Sequence, residues 1–243
     1  MSVSFLHRAS GWRLGLLMVV AIHLAGCATP RNPVDPFEPF NRSVMRFNDD
    51  LDTAVLKPVA TTYRDVVPRP VRVGVSNFFG NLSDVWSTAN NALQLKPKLA
   101  GEMALRVGVN TLFGFGGIID VATDLGLERH SEDFGQTLAR WGVPAGPYLM
   151  LPVLGPFTLR DAITTVTVDM QVDPVMQIDP TGVRAAVIGL RLVDLRADLL
   201  RVSTVLDEVA LDRYTFTRDA YLQRRRALVN APPPQDEPDP SKE

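Results

Sequence analysis

Leu24-Ala25-Gly26-Cys27 place the chain's single cysteine directly behind small residues, close to the start of a 243-residue sequence. The chemistry a thiol offers there is acylation. Arg8 and Arg13 precede a largely apolar stretch from Leu14 to Ala25, the layout of a secretory signal. Crossing a bilayer takes about 20 apolar residues, whereas this stretch is short, contains His23 and is followed at once by Pro30 and Pro33. The four residues match the bacterial lipobox, in which a signal peptidase cuts before a cysteine whose sulfur already carries diacylglycerol. Cys27 is then the first mature residue, and residues 1–26 are the signal. Each buried methylene contributes about 0.8 kcal/mol, so one acyl chain holds reversibly while several hold stably. Ala28 stands where an aspartate would favour inner-membrane retention, which points to the outer membrane of a Gram-negative cell.

Other reactive groups are scarce. Removal of residues 1–26 takes two arginines and no acid, so the formal charge moves from −2 to −4. A mildly acidic chain without a basic block is a poor nucleic-acid binder. His7 and His23 leave with the signal, so His130 is the remaining histidine, and zinc or iron sites built on nitrogen and sulfur ligands are not expected. His130 lies within Glu128-Arg129-His130-Ser131-Glu132-Asp133, which puts a serine, a histidine and carboxylates side by side. Neighbours in sequence rarely converge on one reacting atom, and no G-x-S-x-G nucleophile elbow is present. Gly114-Phe115-Gly116-Gly117 has neither a Lys-Ser/Thr ending nor G-x-G-x-x-G spacing, so it is no phosphate cradle. No catalytic residue, metal or cofactor is assigned.

The elements that must position everything else are helices. Residues 27–34 read as the acylated N-terminus with a short proline-containing tether, and 231–243, with Pro232, Pro233 and Pro234 followed by mixed charge, as a disordered tail. Residues 35–230 form one all-α domain, large enough for its own core. Asp35 is placed to cap a helix opening at Pro36, along which Phe37, Phe40, Val44, Phe47 and Leu51 make one apolar stripe. Val71, Val75, Phe78, Leu82, Val85, Ala89 and Leu93 repeat the pattern after Pro68 and Pro70. Ile188, Leu192, Leu195, Leu199, Val202, Leu206 and Val209 continue it on a helix of about thirty residues, and another runs from Tyr214 to Asn230. Each stripe is expected to be a core face. Val166, Val168, Met170 and Val172 alternate with period two, which predicts an extended or distorted segment.

The centre differs from a bundle. From Phe134 to Leu159 the single charge is Arg140, and Gly142-Val143-Pro144-Ala145-Gly146-Pro147 cannot be regular helix. Leu112 to Val121 is similarly apolar and glycine-rich, interrupted by Asp120 and preceded by Asn110. Two readings stand for this centre: a loop buried under the helices with Asp120 as an N-cap, or an apolar, jointed surface that meets lipid.

At this point the residues resemble a known family. Asp35-Pro36-Phe37-Glu38-Pro39-Phe40-Asn41-Arg42, Phe47-Asn48-Asp49, Lys57-Pro58-Val59-Ala60 and Tyr63-Arg64 are similar to the opening of the MlaA (VacJ) lipoproteins. Val75 to Leu82, Asn110-Thr111, Asp120-Val121-Ala122, Glu132 to Leu138, Trp141-Gly142-Val143, Gly146-Pro147-Tyr148, Leu154-Gly155-Pro156, Arg160-Asp161 and Arg218 to Arg225 continue the resemblance in order, while Thr164 to Arg184 carries little of it. The resemblance implies an all-helical, ring-shaped protein in the inner leaflet of the outer membrane, associated with trimeric porins. It implies removal of misplaced phospholipid from the outer leaflet and delivery to a soluble periplasmic carrier. Within that frame Asn110, Asp120, Arg140 and Arg160 are expected along or beside a polar path, and Trp141, Gly142, Gly146 and Tyr148 in the segment that gates it. Two rival functions remain: a structural lipoprotein that docks on porins without moving lipid, and a hydrolase that would need His130 or a carboxylate pair.

Overall fold

The computed structural model describes residues 34–209 and 211–230; the signal, Cys27, most of the tether and the C-terminal tail lie outside them. The first rod joins α1 (Glu38–Leu51), a wide π turn (Asp52–Leu56) and α2 (Lys57–Val66) without a break in helical dihedrals. Its cause is local. A proline inside a helix clashes with the carbonyl four residues back, and the π turn widens the backbone just ahead of Pro58. Val67, forced out of the helical region by the proline that follows it, ends the rod with ψ 124°. The helix begins at Glu38 rather than at Pro36, and Asp35 is no cap: it is fully buried and accepts from Asn41, Tyr214 and Arg218.

α3 (Arg69–Leu93) and α4 (Pro97–Leu112) pack against each other through a tight link at residues 94–96. An apolar turn follows, then the single turn α5 (Val121–Asp124) and α6 (Phe134–Arg140). A short antiparallel hairpin pairs β1 (Tyr148–Leu151) with β2 (Gly155–Thr158), in the register Tyr148 to Thr158 and Leu151 to Gly155. Helix α1 completes the free edge of β1 with two asparagines seven residues apart. Asn41 donates to the Tyr148 carbonyl at 3.1 Å and accepts from the Met150 amide at 2.9 Å; Asn48 does the same for the Leu151 carbonyl and the Val153 amide at 3.0 and 2.8 Å. A primary amide carries the same donor and acceptor as a peptide, so each side chain substitutes for a missing strand residue.

After the hairpin come α7 (Leu159–Thr164), a second π turn (Thr165–Asp169), α8 (Met170–Val172) and a 3-10 turn (Pro174–Gln177). The segment read as extended or distorted from Val166 to Val172 is therefore not extended but helical, distorted by the π turn. Two long helices, α9 (Thr181–Val209) and α10 (Arg213–Asn230), close the chain. The all-α expectation stands, with the hairpin as its one sheet among the described residues.

The stripes do not face where a water-soluble bundle would put them. On α3, Val71, Phe78, Val85 and Leu93 are exposed, while Gly74, Asn81, Asp84, Ser87, Asn90 and Asn91 are buried. On α9, Leu195, Leu199 and Val202 point outward, Val202 being 62% exposed. Asp194, Ala197 and Leu200 turn inward instead, against Ala60 and Tyr63 of α2, and Asp194 accepts from the Tyr63 and Ser76 hydroxyls at 2.9 and 2.7 Å. The expectation that each stripe is a core face is overturned for these two helices. Asparagine, threonine and aspartate go inside because each finds partners there: Thr137 donates to Asn90 at 2.7 Å, Asn91 donates to the His130 carbonyl at 3.1 Å, and Gln94 donates to Glu132 at 3.0 Å. Two small apolar clusters remain, one around Met45, Tyr148, Met150, Tyr214 and Leu222, the other around Ala60, Ala197 and Leu200.

Candidate functional site

Asn110 and Asp120 meet in a closed polar network whose centre is Arg106, a cation 1% exposed on α4. Arg106 donates to Asp84 of α3 at 3.3 Å, to Asp120, to Thr123 at 3.0 Å and to the Leu127 carbonyl at 2.6 Å. Asn110 donates to Asp120 at 3.0 Å and accepts from the Ala122 amide at 2.8 Å. Asp120 also caps α5 through the Thr123 amide. Arg129 adds a second cation to Asp84 at 3.1 Å. The network ties α3, α4 and α5 together, and it presents an apolar turn to the outside: Leu112, Phe113, Phe115, Ile118, Ile119 and Leu125 are all exposed, Phe113 by 70%. Gly117, at φ +94°, passes so close to Asn81 that a β-carbon would lie 2.5 Å from that residue's Cβ, so the turn requires glycine there.

Arg160 belongs to a second network. It is buried, pairs with Asp161 at 3.0 Å and donates to the Val143 carbonyl at 3.1 Å. Arg225 of α10 binds Asp161 and Asp133 with both arms, at 2.8 and 2.9 Å and at 2.6 and 2.7 Å, and Tyr221 donates to Asp161 at 3.1 Å. The cap of α7 is Thr158, whose hydroxyl accepts from the Asp161 amide at 3.3 Å.

Of the jointed segment, Arg140 ends α6 on the surface, and Trp141 is 54% exposed, with its indole donating to the Leu93 carbonyl at 3.2 Å. Gly142 and Gly146 take φ +91° and +70°, bracketing the stretch that leads into the hairpin. Tyr148 is fully buried between Tyr214 and Tyr221, ring centroids 6.1 and 6.2 Å away. Cys27 lies outside the described residues. His130 faces Glu102 at 3.3 Å on the rim of α4.

The carboxylates of the two networks are perturbed. Burial works to raise Asp120, but hydrogen bonds from Thr123 and Asn110 and the charge of Arg106 prevail and bring it down to about 2. Burial likewise opposes ionisation of Asp161, and Arg225 outweighs it, holding this carboxyl below its ordinary range. A carboxyl whose folded value is depressed contributes stability that is present above its unfolded value and lost as pH falls through the folded one. The destabilisation caused by Asp161→Asn is therefore expected in full at neutral pH and to shrink toward zero below about pH 4. Thermal unfolding of parent and variant followed by circular dichroism across that range checks this; a pH-independent difference would contradict it.

None of the eight candidate path and gating residues lines a cavity of about 450 Å³ on another side of α3. It lies between α3, the approach to α6, the second π turn, α9 and α10. Trp86, Glu132, Asp133, Asp169, Arg191 and Arg224 are among its lining. Asp169 accepts from the Trp86 indole at 2.8 Å and from the Phe134 amide at 3.3 Å, and burial followed by the nearby charge of Asp133 pushes its carboxyl above the ordinary range. Arg106, Asp84, Arg225 and Asp169 went unassigned in the sequence. Arg106 carried a signal, a lone charge from Met103 to Leu112 placed one helical turn before Asn110; Asp169 carried none, because the π turn hid its face.

Comparison with known proteins brings these features together. A family model described as MlaA lipoprotein matches residues 33–228. Among curated relatives, the Escherichia coli intermembrane phospholipid transport system lipoprotein MlaA is 36% identical, covering 90% of this chain and 89% of its own. The Haemophilus influenzae protein of the same name is 33% identical with 88% of each covered, and an uncharacterised Rickettsia bellii protein is 32% identical over 86% of this chain and 81% of its own. A solved structure concerned with the structural basis for maintenance of bacterial outer membrane lipid asymmetry superposes with a TM-score of 0.68 at 37% identity, covering 81% of this chain and 99% of that one. With the family model spanning nearly the whole described domain and relatives matching it end to end, the chain belongs to the MlaA lipoprotein family.

Proposed function

We propose that this protein is an outer-membrane lipoprotein that removes phospholipid from the outer leaflet and hands it to a soluble periplasmic carrier, preserving lipid asymmetry. The observation that carries the reading is the inverted polarity of α3, α9 and the 112–125 turn, with large apolar side chains outside and asparagine, aspartate and arginine within. Exposed apolar surface on this scale marks an interface with lipid or protein. Exposing both tails of a phospholipid to water costs on the order of 20 kcal/mol at about 0.8 kcal/mol per methylene. A protein seated in lipid by its outer faces keeps the tails in hydrocarbon while the headgroup follows the polar interior. No helix among the described residues is long and apolar enough to cross a membrane, and the seat assigned here is one leaflet, at the periplasmic face, beside a trimeric porin. Acylated Cys27 holds the domain at that surface. Such transfer needs no nucleophile, metal or cofactor, and we assign no enzymatic role to His130, whose ring faces Glu102.

The names of the Escherichia coli and Haemophilus influenzae relatives support the phospholipid assignment. The hinge glycines Gly142 and Gly146, with Trp141 beside them, make the hairpin the proposed gate. The decisive experiment measures surface-exposed phospholipid and detergent resistance in cells lacking the gene. Raised surface phospholipid, reversed by the parent gene, is expected; unchanged values would leave only a structural role. A cross-link restraining Gly142 to Gly155 should stop lipid movement without releasing the protein from the membrane, which a porin-stabilising lipoprotein would not show.

A further inference from the structure

The charges around the 450 Å³ cavity form a nearly closed account. Glu132 is paired with Lys96 at 2.7 Å, Asp133 with Arg225 at 2.6 Å, and Asp173 with Arg191 at 2.5 Å. Two charged groups on the lining remain without an ion pair among the described residues, one of each sign. Asp169 is a half-buried carboxylate held by neutral donors: the Trp86 indole at 2.8 Å, the Phe134 amide at 3.3 Å and the Thr165 hydroxyl at 3.4 Å. Arg224, one residue before the doubly paired Arg225, has no hydrogen bond or ion pair among the described residues. A desolvated carboxylate without a cation costs the fold free energy, so its presence calls for a cation from elsewhere.

We propose that this cavity recognises a zwitterionic phospholipid headgroup, its primary ammonium by Asp169 beside Trp86 and its phosphate by Arg224. The inference rests on the phospholipid-transport reading and specifies the class of headgroup. The chemistry is complementary at both ends. An ammonium offers donors to the carboxylate and a charge attracted by an indole, and a guanidinium suits phosphate oxygens. An anionic headgroup such as phosphoglycerol satisfies Arg224 and leaves Asp169 facing hydroxyls, so it is held less well.

The test uses the full-length acylated protein in detergent micelles, titrated with phosphatidylethanolamine and phosphatidylglycerol of identical tails. The parent should bind the ethanolamine lipid about tenfold more tightly, the size of one charge-assisted contact. Asp169→Asn should remove that preference while keeping binding of phosphatidylglycerol, and Arg224→Gln should weaken both lipids. Asn keeps the oxygen that accepts from Trp86 and Phe134 and removes a desolvated charge, so the unfolding temperature of Asp169→Asn should hold or rise. Misfolding cannot then imitate the result. Equal binding of the two lipids by the parent, or a preference that survives Asp169→Asn, would overturn the headgroup assignment and leave lipid transport standing. Tight capture of free phosphoethanolamine without any lipid preference would also overturn it, by making the cavity a small-molecule site. If neither lipid binds and cells lacking the gene keep normal surface phospholipid, the transport reading falls with it.

Discussion

Replacing Arg106 with methionine is expected to destabilise the domain by about 3–5 kcal/mol, the usual loss when one partner of a buried ion pair is removed. Methionine fills a similar length but donates nothing to Asp84, Asp120, Thr123 or the Leu127 carbonyl. Arg129, whose side chain is 36% exposed, would be left as the one cation on a buried Asp84. Lysine should rescue little, because a compact ammonium cannot span acceptors on α3, α5 and the following loop at once. For a domain of this size the loss corresponds to a fall in unfolding temperature of about 10 °C. Arg140→Met, at an exposed helix end, should change stability by less than about 0.5 kcal/mol. Thermal unfolding in detergent followed by circular dichroism separates the two, and a fall of only a degree or two for Arg106→Met would mean that the network does not hold α3, α4 and α5 together.

The second large effect concerns the outside of the molecule. In a water-soluble helical domain, aspartate at Leu199 and Val202 of a long apolar stripe would unfold the chain. Here both side chains point outward, so in detergent the double variant is expected to unfold within a few degrees of the parent. Its membrane seating should fail instead. Each charge placed in hydrocarbon costs at least about 2 kcal/mol, and two lower the partition into a bilayer by about a thousandfold. The proposed acyl anchor would mask this, so the comparison is made in a Cys27→Ser background by flotation with phospholipid vesicles. Unfolding in detergent would return these positions to a conventional core; unchanged flotation would place them in water.

How far the sequence could be read varied with the kind of information each segment holds. The rods around Phe40, Phe78 and Leu199 were legible because their apolar residues recur every three or four positions, and their ends because Pro68, Pro70 and Pro180 interrupt them. Val166 to Val172 misled for a physical reason. A π turn spaces equivalent positions by more than the ordinary 3.6 residues, so a helical stretch beginning at Thr165 loses its period and its alternating valines imitate a strand. The hairpin was invisible because its strands are four residues long, β2 carries Pro156, and β1 relies for its outer edge on side-chain amides from a helix a hundred residues earlier.

Of the candidate positions, Asn110 with Asp120 and Trp141 with Gly142 and Gly146 were chosen for polarity or flexibility within apolar surroundings, and the structure explains why they stand out. Asp120 accepts from a buried arginine and Asn110 donates to Asp120, while the second group forms the approach to the hairpin. Asp169 and Arg224 lacked such a contrast. They became visible only when folding had matched every neighbouring charge and left these two over.

By itself the sequence determined that the chain is helical and that residues 27–243 hold few groups capable of bond chemistry, and it singled out Cys27 as the proposed site of attachment to a membrane. These follow from local quantities: the period of apolar residues, the conformational limits of proline, and residue type. Which face of each helix is the inside was decided only by the tertiary structure. Periodicity shows that a helix has two unlike faces but is the same whichever face packs, and the choice depends on partners far away in the chain. Asp84 has Arg106, Asp194 has Tyr63 and Asn90 has Thr137, so the polar faces close on one another and the apolar faces are left on the outside.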